Sequence, residues 1–231
     1  MSFYRLLKYL LPLLLLSACA SIKTLPVDYQ PGAVVETLSS AVSLSIRPAI
    51  GPGMSGSGYL LFRRPDQLHL VVLSPFGTTM MEAFASGDRI TLAYPATSTA
   101  YVGRFDELPD SSGLQGWRLM RWVMDADPRK EQSLDETVER TSTLGCSEKV
   151  TYEKGLVTAK ESIRGDQVHY GKYSVINGVP VAMELDLRND RDDRIRITLD
   201  EPEVNTTLDD TMFTPRLDGL KVLPLAVLKG L

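Results

Sequence analysis

Few side chains in this sequence have the types and spacing that catalysis would require. Its two histidines, His69 and His169, lie far apart in strand-like segments and form no metal-binding spacing with each other. Ser57 lies between two glycines without a histidine in any hydrolase motif, and the acidic turn at 190–193 lacks the glycine and glutamate spacing of a calcium loop. We find no catalytic constellation, and we expect a protein that is not an enzyme and holds no metal.

One side chain, the thiol of Cys19, follows a segment that would direct chemistry to it. Arg5 and Lys8 form a short basic start, an apolar run extends to Leu16, and two small residues precede the cysteine. This order is typical of a secretory signal, and the apolar run is shorter than the ~20 residues that span a bilayer. The residues at 16–19, Leu-Ser-Ala-Cys, resemble the bacterial lipoprotein box, in which the cysteine becomes the first residue of the mature chain. The alternative is a plain secretory peptide in which Cys19 stands by chance.

The lipoprotein resemblance implies a membrane anchor. Cys19 would carry a diacylglycerol and an N-acyl lipid, and two or more acyl chains hold a protein stably on a membrane. Residues 1–18 would be the signal peptide and 19–32 a lipidated tether. Ala20 and Ser21, in place of the aspartate that retains such proteins in the inner membrane, favour the periplasmic face of the outer membrane. We expect no other cofactor.

Composition limits what the mature chain can be. The chain has 231 residues, of which 43% are hydrophobic and 23% charged, as in a folded globular protein. The net charge of −4 becomes −6 when Arg5 and Lys8 leave with the leader, which excludes nucleic acid as a partner. Cys19 and Cys146 are the two cysteines, too few for a disulfide framework or a thiolate zinc site.

Alternation of apolar and polar residues dominates the mature sequence. About ten segments show it, or form short apolar runs between turn signals: 42–46, 59–62, 68–72, 80–85, 90–94, 150–152, 156–163, 168–175, 181–187 and 195–199. We therefore predict a mainly β domain over 33–215 with antiparallel strands. Residues 104–126 break the pattern with apolar side chains at helical spacing, which predicts a short helical lid inserted mid-chain. The apolar tail at 216–231 either packs on the barrel or contacts a membrane or a partner.

Three ordered motifs resemble the LolA/LolB family of periplasmic lipoprotein carriers and outer-membrane lipoprotein receptors. They are Leu-Ser-Pro-Phe-Gly at 73–77 between two strands, Gly-Trp-Arg-Leu-Met-Arg-Trp-Val at 116–123, and Asn-Gly-Val-Pro at 177–180. The stretch 204–215 is similar to the closing segment of the carrier branch. The resemblance implies a half-open β-barrel lidded by helices, with an apolar cavity for acyl chains.

The resemblance also assigns candidate site residues. The inward apolar faces would line the cavity: Leu44, Ile46, Leu60, Phe62, Leu70, Val72, Met81, Phe84, Leu92, Met183, Leu185 and Ile197. The lid would comprise Trp117, Met120, Arg121 and Trp122, with Arg121 holding it through bonds to barrel carbonyls. The loop Pro75-Phe76-Gly77 would insert into lipid. The alternatives are a filled barrel core, an ordinary amphipathic helix, and a Phe76 that folds back onto the barrel.

We therefore expect a monomeric, anchored lipoprotein that binds acyl chains and helps to receive lipoproteins or insert them into the outer membrane. Its partners would be the acyl chains of lipoproteins, the membrane and a periplasmic lipoprotein carrier. The alternative is a non-catalytic envelope scaffold or interaction module with a filled barrel.

Overall fold

The computed structural model describes residues 28–109, 116–131, 135–142 and 145–228. The predicted signal peptide and Cys19 lie outside the described residues, as does most of the predicted tether. Within the described part, no helix is both long and apolar enough to cross a membrane.

Thirteen strands form a single sheet in the described residues. They are β1 Thr37–Arg47, β2 Met54–Arg63, β3 Gln67–Leu73, β4 Thr79–Ser86, β5 Arg89–Tyr94, β6 Thr99–Arg104, β7 Glu136–Thr141, β8 Ser147–Glu153, β9 Leu156–Ser162, β10 Gln167–Ile176, β11 Val179–Arg188, β12 Arg194–Val204 and β13 Lys221–Pro224. The predicted mainly β class is confirmed. Three strands exceed the ten expected segments, namely β6, β7 and β13, because these short strands carry too few alternating apolar residues to be recognised.

The strand order leaves the sheet open. It runs β13-β6-β5-β4-β3-β2-β1-β12-β11-β10-β9-β8-β7, so β1 pairs with both β2 and β12, and β13 and β7 are the two edges. All neighbours are antiparallel except β13 and β6. This arrangement confirms the expected open, unclosed sheet.

A single α-helix, α1 (Gly116–Met124), lies between β6 and β7 in the described sequence. β6 lies beside one edge of the sheet and β7 forms the other, and Trp117, Met120 and Val123 of the helix are buried in the main core. The predicted lid over 104–126 is therefore a nine-residue helix preceded by a 3-10 turn at Phe105–Glu107. This burial places the helix over the inner face of the sheet.

Period-two alternation decides which side chains face that interior. In β3, Leu68, Leu70 and Val72 are buried on the inner face of the sheet, the face on which α1 lies, while His69 and Val71 face outward. The centre of the core is filled: Leu60, Leu92 and Ile197 have no exposed surface.

The described part of the C-terminal tail packs on the sheet, as the first of the two interpretations expects, and Val222 and Val227 remain exposed. Strand β13 runs parallel to β6, and Leu225 and Leu228 beyond it are buried in the main core. Gly103 of β6 makes room for this segment, because a Cβ there would lie only 2.6 Å from the Cβ of Leu225. The tail therefore covers one edge of the sheet.

Two loops lie at the same end of the barrel. β1 and β3 run in the same direction, so the β1–β2 loop at 48–53 and the β3–β4 loop at 74–78 share one end. The chain enters β1 at the opposite end, where the backbone N–H of Gln30 donates to the carbonyl of Gly178 at 2.9 Å.

Candidate functional site

A cavity of about 480 Å³ lies between the sheet and the first half of α1. Strand residues Leu44, Ile46, Leu70, Val72, Met81 and Ile195 form its floor, and Trp117 and Met120 of the helix lie over it. The β1–β2 loop at 48–53 forms its rim, together with Met54 and Met80. The volume lies within the range of small-molecule sites.

The chemistry of this cavity is almost entirely apolar. None of the described residues that line it carries a charge. Its polar lining includes the hydroxyls of Ser55 and Tyr94. Burial raises the pKa of Tyr94 to about 12, because the phenolate would lose its hydration, and the neighbouring Tyr101 acts in the same direction. Such a cavity suits a hydrocarbon chain.

The sequence-predicted lining residues divide into three groups. Leu44, Ile46, Leu70, Val72 and Met81 line the cavity. The filled core contains others: Leu60, Phe62, Leu92, Leu185 and Ile197, with the half-buried Met183 packed against them. The third group is Phe84 alone, which lies neither in the cavity lining nor in the filled core because it faces away from the cavity.

Phe84 lies on the outer face of the sheet. Its ring stacks on His69 of β3 at a centroid distance of 3.9 Å, and His69 is also outward. The 3-10 turn Asp210–Phe213 contacts β3 and β4 and covers this face. The physical reason is the period of the strand: Met81, Ala83 and Ala85 are inward, so the residue between the last two is outward.

The predicted lid residues point in different directions. Trp117 and Met120 face the cavity, whereas Trp122 lies in the core and donates from Nε1 to Oε2 of Glu148 at 2.6 Å. The guanidinium of Arg121 lies 3.8 Å from the carboxylate of Asp66 and 5.3 Å from the centre of the Phe105 ring. Burial lowers the pKa of Arg121, and Asp66 opposes that shift. Among the described residues, Arg121 contacts these side chains, and no hydrogen bond from it to a barrel carbonyl is present.

The barrel holds the end of α1 through Lys160 and Tyr170. The ammonium of Lys160 donates to the carbonyl oxygens of Trp122 and Asp125, each at 2.8 Å. The hydroxyl of Tyr170 donates to the carbonyl of Val123 at 2.8 Å. The last carbonyls of a helix have no partner within the helix and carry partial negative charge, so a buried cation is well placed there. These bonds fix the C-terminal end of the lid, while its N-terminal half lies over the cavity.

A balanced set of charges surrounds this attachment. Glu148 accepts from Lys160 at 3.0 Å and from Arg140 at 2.6 Å, and the side chains of Glu148 and Lys160 are fully buried. The carboxylate of Asp125 lies 3.5 Å from Arg140. Burial lowers the pKa of Lys160, and Glu148 and then Asp125 oppose the shift. Two cations and two anions therefore compensate one another in the core.

Sequence reasoning missed this attachment, although a signal was present. Glu148 is in phase with Val150 and Tyr152, the buried positions of β8. A charged residue that shares the phase of the apolar face must be buried, and a buried charge needs a partner. Lys160 on the next strand supplies it.

The β3–β4 loop presents Phe76 to the solvent. The backbone N–H of Gly77 donates to the carbonyl of Ser74 at 2.9 Å, the N–H of Ser74 to that of Thr78 at 2.8 Å, and their hydroxyls are 2.7 Å apart. These hydrogen bonds close the turn, and the side chain of Phe76 at its tip is 92% exposed. Ile50, on the loop at the rim of the cavity, is 85% exposed at the same end. Phe76 therefore does not fold back onto the barrel in this structure.

Comparison with solved structures identifies the fold. A DUF1329 family protein from Desulfovibrio piger matches with a TM-score of 0.56 at 15% identity, over 81% of this chain and 92% of that one. A LolA superfamily protein from Nitrosomonas europaea matches with a TM-score of 0.55 at 10% identity, over 80% and 93%. A putative outer membrane lipoprotein-sorting protein domain from Vibrio parahaemolyticus matches with a TM-score of 0.51 at 12% identity, over 77% and 88%.

At these identities the likeness establishes a shared LolA-type fold. No protein-family profile matches the sequence, and no curated protein matches it. The function therefore has to be argued from the geometry of the site.

Proposed function

We propose that this protein is a non-catalytic, outer-membrane-anchored lipoprotein that binds acyl chains in its cavity and helps to receive or insert lipoproteins at that membrane. The anchor is the lipid expected at Cys19, and the cargo arrives from a periplasmic carrier. The observation that carries the proposal is the uncharged cavity of about 480 Å³ under α1.

The energetics of such a cavity favour hydrocarbon. Each methylene that leaves water for an apolar site gains ~0.8 kcal/mol, so even a partly inserted acyl chain gains several kcal/mol. Met81 and Met120 add flexible side chains that adapt to different chain shapes. Buried bonds to Lys160 and Tyr170 hold the C-terminal end of the lid helix, and we expect a chain to enter on the side of Trp117, which lies over the cavity.

The exposed tip supports the membrane part of the proposal. An exposed phenylalanine, held at the tip of a hydrogen-bonded turn beside an apolar cavity, is suited to contact a lipid surface. Phe76 and Ile50 lie at the end of the barrel where the cavity has its rim. The LolA-type fold, shared with a lipoprotein-sorting protein domain, agrees with this assignment.

The direct test measures fatty-acid binding by a variant that fills the cavity and by a matched control variant that does not. The chain with Cys19→Ala, which cannot be acylated, is titrated with the fluorescent fatty acid cis-parinaric acid. We expect saturable binding that Val72→Phe reduces at least tenfold, because Val72 lines the cavity. The matched control is Val71→Phe on the same strand, whose side chain faces outward and should leave binding unchanged.

A second test addresses delivery. The acylated chain is reconstituted into vesicles and offered a lipoprotein bound to a periplasmic carrier, and cargo in the vesicle fraction is measured. We expect Val72→Phe to block delivery. Absence of acyl binding in the first test would refute the proposal and favour a structural scaffold.

A further inference from the structure

Three arginines form a row on the outer face of the sheet, at the end that carries Phe76. Arg47 of β1 lies directly opposite Arg194 of β12, and Arg194 lies opposite Arg188 of β11. All three are exposed, and Arg194 alternates with the buried Ile195, which places the row on the outer face. Like charges at directly opposed positions destabilise a sheet. A bound anion would remove this repulsion within the arginine row.

The protein itself neutralises the arginine row only in part. Oδ1 of Asp192 accepts from Nε of Arg188 at 2.6 Å and lies 3.4 Å from Nε of Arg194. The next residue, Asp193, is buried, and its carboxylate accepts from a backbone N–H and from a side-chain amide instead. Arg47 forms no ion pair with any residue that the structure describes. The three guanidinium groups therefore share the carboxylate of Asp192.

A polar groove of about 510 Å³ adjoins the row on the outer faces of β12, β1 and β2. Five hydroxyls line it in two cross-strand rows, namely Ser45 and Ser55 beside Arg196, and Thr198, Ser43 and Ser57 one step along the strands. None of these hydroxyls is hydrogen-bonded to another described residue. Arg196 pairs with Asp186 through Nη2 at 2.5 Å and Nε at 3.2 Å, which leaves the hydrogens of Nη1 for a ligand. An arginine beside rotating hydroxyls is a donor set that suits phosphate oxygens.

The other end of this groove is the loop that presents Phe76. Ser74 and Pro75 line the groove, and the exposed Phe76 follows them directly. An apolar tip beside an anion-binding surface matches the boundary of a bilayer, where headgroup phosphates lie next to hydrocarbon. The chain as a whole has a net charge of −4, so an anionic membrane attracts it only through a local basic surface such as this one.

We propose that the arginine row and the hydroxyl groove bind the phosphates of an anionic phospholipid, so that the outer face of β12, β1 and β2 lies on the membrane while Phe76 enters it. This inference rests on the membrane part of the proposed function and deepens it, because it assigns the class of lipid and the face that contacts it. It leaves the acyl cavity, on the opposite face of the sheet, turned toward incoming cargo.

The test measures flotation of the chain with Cys19→Ala on phosphatidylcholine vesicles, with and without phosphatidylglycerol, at low salt. We expect Arg47→Gln to weaken binding to phosphatidylglycerol vesicles about fivefold, and Arg47→Gln with Arg194→Gln about twenty-five-fold. Binding to phosphatidylcholine alone should not change, and high salt should abolish the difference. The matched control is Arg89→Gln, an exposed arginine at the opposite end of the sheet, which should change neither.

A carboxylate placed inside the groove provides a second test. Ser45 lies opposite Arg196 and two residues before Arg47, so Ser45→Asp supplies the anion internally and should abolish the preference for phosphatidylglycerol. The neutral Ser45→Asn variant, of similar size, should keep the preference. Without lipid, Ser45→Asp and Arg47→Gln should both raise the Tm, because each relieves the repulsion in the row. A lower Tm in both variants would show that no such repulsion exists and would overturn the inference.

The outcomes separate this inference from the proposed function. Equal binding of wild type to both kinds of vesicle would overturn the inference alone, because acyl binding in the cavity does not depend on this face. Displacement by inorganic phosphate at the phosphorus concentration of the vesicles would assign the site to free phosphate and overturn the lipid. Lost cargo delivery with unchanged vesicle binding in Arg47→Gln would assign the row to the carrier and overturn it as well. If wild type floats with neither kind of vesicle, the membrane part of the proposed function fails together with the inference.

Discussion

Replacing Lys160 by methionine should release the lid from the barrel and destabilise the protein. The substitution keeps an unbranched apolar stem, one atom shorter than that of lysine, and removes the ammonium. Two carbonyls of the lid, those of Trp122 and Asp125, then lose the shorter of their two hydrogen bonds, at 2.8 Å, and Glu148 loses one of its two cations.

The size of the effect follows from these losses. Removing one partner of a buried ion pair costs ~3–5 kcal/mol, because the other charge stays buried. Arg140 still contacts Glu148 at 2.6 Å and reduces this cost. The two carbonyls lose their shortest bonds and keep longer ones, from the Asp125 N–H at 3.3 Å and from Arg140 at 3.4 Å, so each adds at most ~1 kcal/mol. We expect a loss of about 3–4 kcal/mol, a large part of the ~5–15 kcal/mol that stabilises a typical domain.

Urea unfolding measures this loss, and amide hydrogen exchange locates it. We expect the urea midpoint to fall without a change in m-value. Relative to wild type, amide exchange should speed up more in α1 than in β1. The matched control is Lys149→Met, a neighbouring lysine exposed on β8, which should stay within ~0.5 kcal/mol of wild type.

A double substitution tests the stated cause. If the cost comes from the uncompensated charge of Glu148, then Glu148→Gln in the Lys160→Met background should recover at least ~1 kcal/mol, since the remaining group is neutral. A loss below ~1 kcal/mol for Lys160→Met would show that the network does not hold the lid, and additive losses in the double variant would refute the charge argument.

Three further predictions concern the tip, a buried phenol and a tight strand contact. Phe76→Glu should lower vesicle binding of the Cys19→Ala chain about thirtyfold by flotation, because inserting the ring is worth ~2 kcal/mol and each 1.4 kcal/mol is a factor of ten, and unchanged binding would refute insertion. Since the pKa of Tyr94 is about 12, the unfolded chain, near 10, ionises first. The contribution of the neutral Tyr94 to the free energy of unfolding is therefore complete below pH 10 and is lost as the pH rises to 12. Between pH 10 and 12 the Tm should fall more steeply in wild type than in Tyr94→Phe, and equal slopes would contradict this. Gly58→Ala should cost ~2–3 kcal/mol in urea, because its Cβ would lie 1.9 Å from the carbonyl oxygen of Val71; no loss would show that the strands yield.

Period-two alternation predicted the sheet but not the division of its inner face. Leu44 and Leu70 line the cavity, whereas Leu60 and Leu92 lie in the filled core, and all four have the same inward pattern. The difference depends on where α1 crosses the sheet, which is a property of the whole fold. Strand phase does decide inward from outward, and Phe84 shows it: it lies three residues after Met81, so the two cannot share a face.

The lid illustrates a second limit of sequence reasoning. Helical spacing indicated α1 and its apolar face, because Trp117 and Met120 recur at that period. It could not indicate the attachment, because Lys160 and Glu148 lie on two strands that are distant from the helix in sequence. Only the strand order brings them beneath the carbonyls of α1.

The positions of tether and tip constrain how an anchored molecule can reach its own membrane. The chain enters the barrel near Gln30, opposite the end that carries Phe76, and the eleven residues of β1 separate the two ends by ~36 Å. The nine residues from Cys19 to Asp28 span at most ~32 Å when fully extended. With the lipid at Cys19 in a bilayer, the tether is too short for the barrel to stand upright with its Phe76 end on that bilayer. Phe76 can therefore touch the same bilayer only when the long axis of β1 lies along the membrane surface. Ten Gly-Ser residues inserted within 20–27 should therefore speed Phe76-dependent cargo delivery to the protein's own vesicles, and an unchanged or slower rate would show that reach does not limit it.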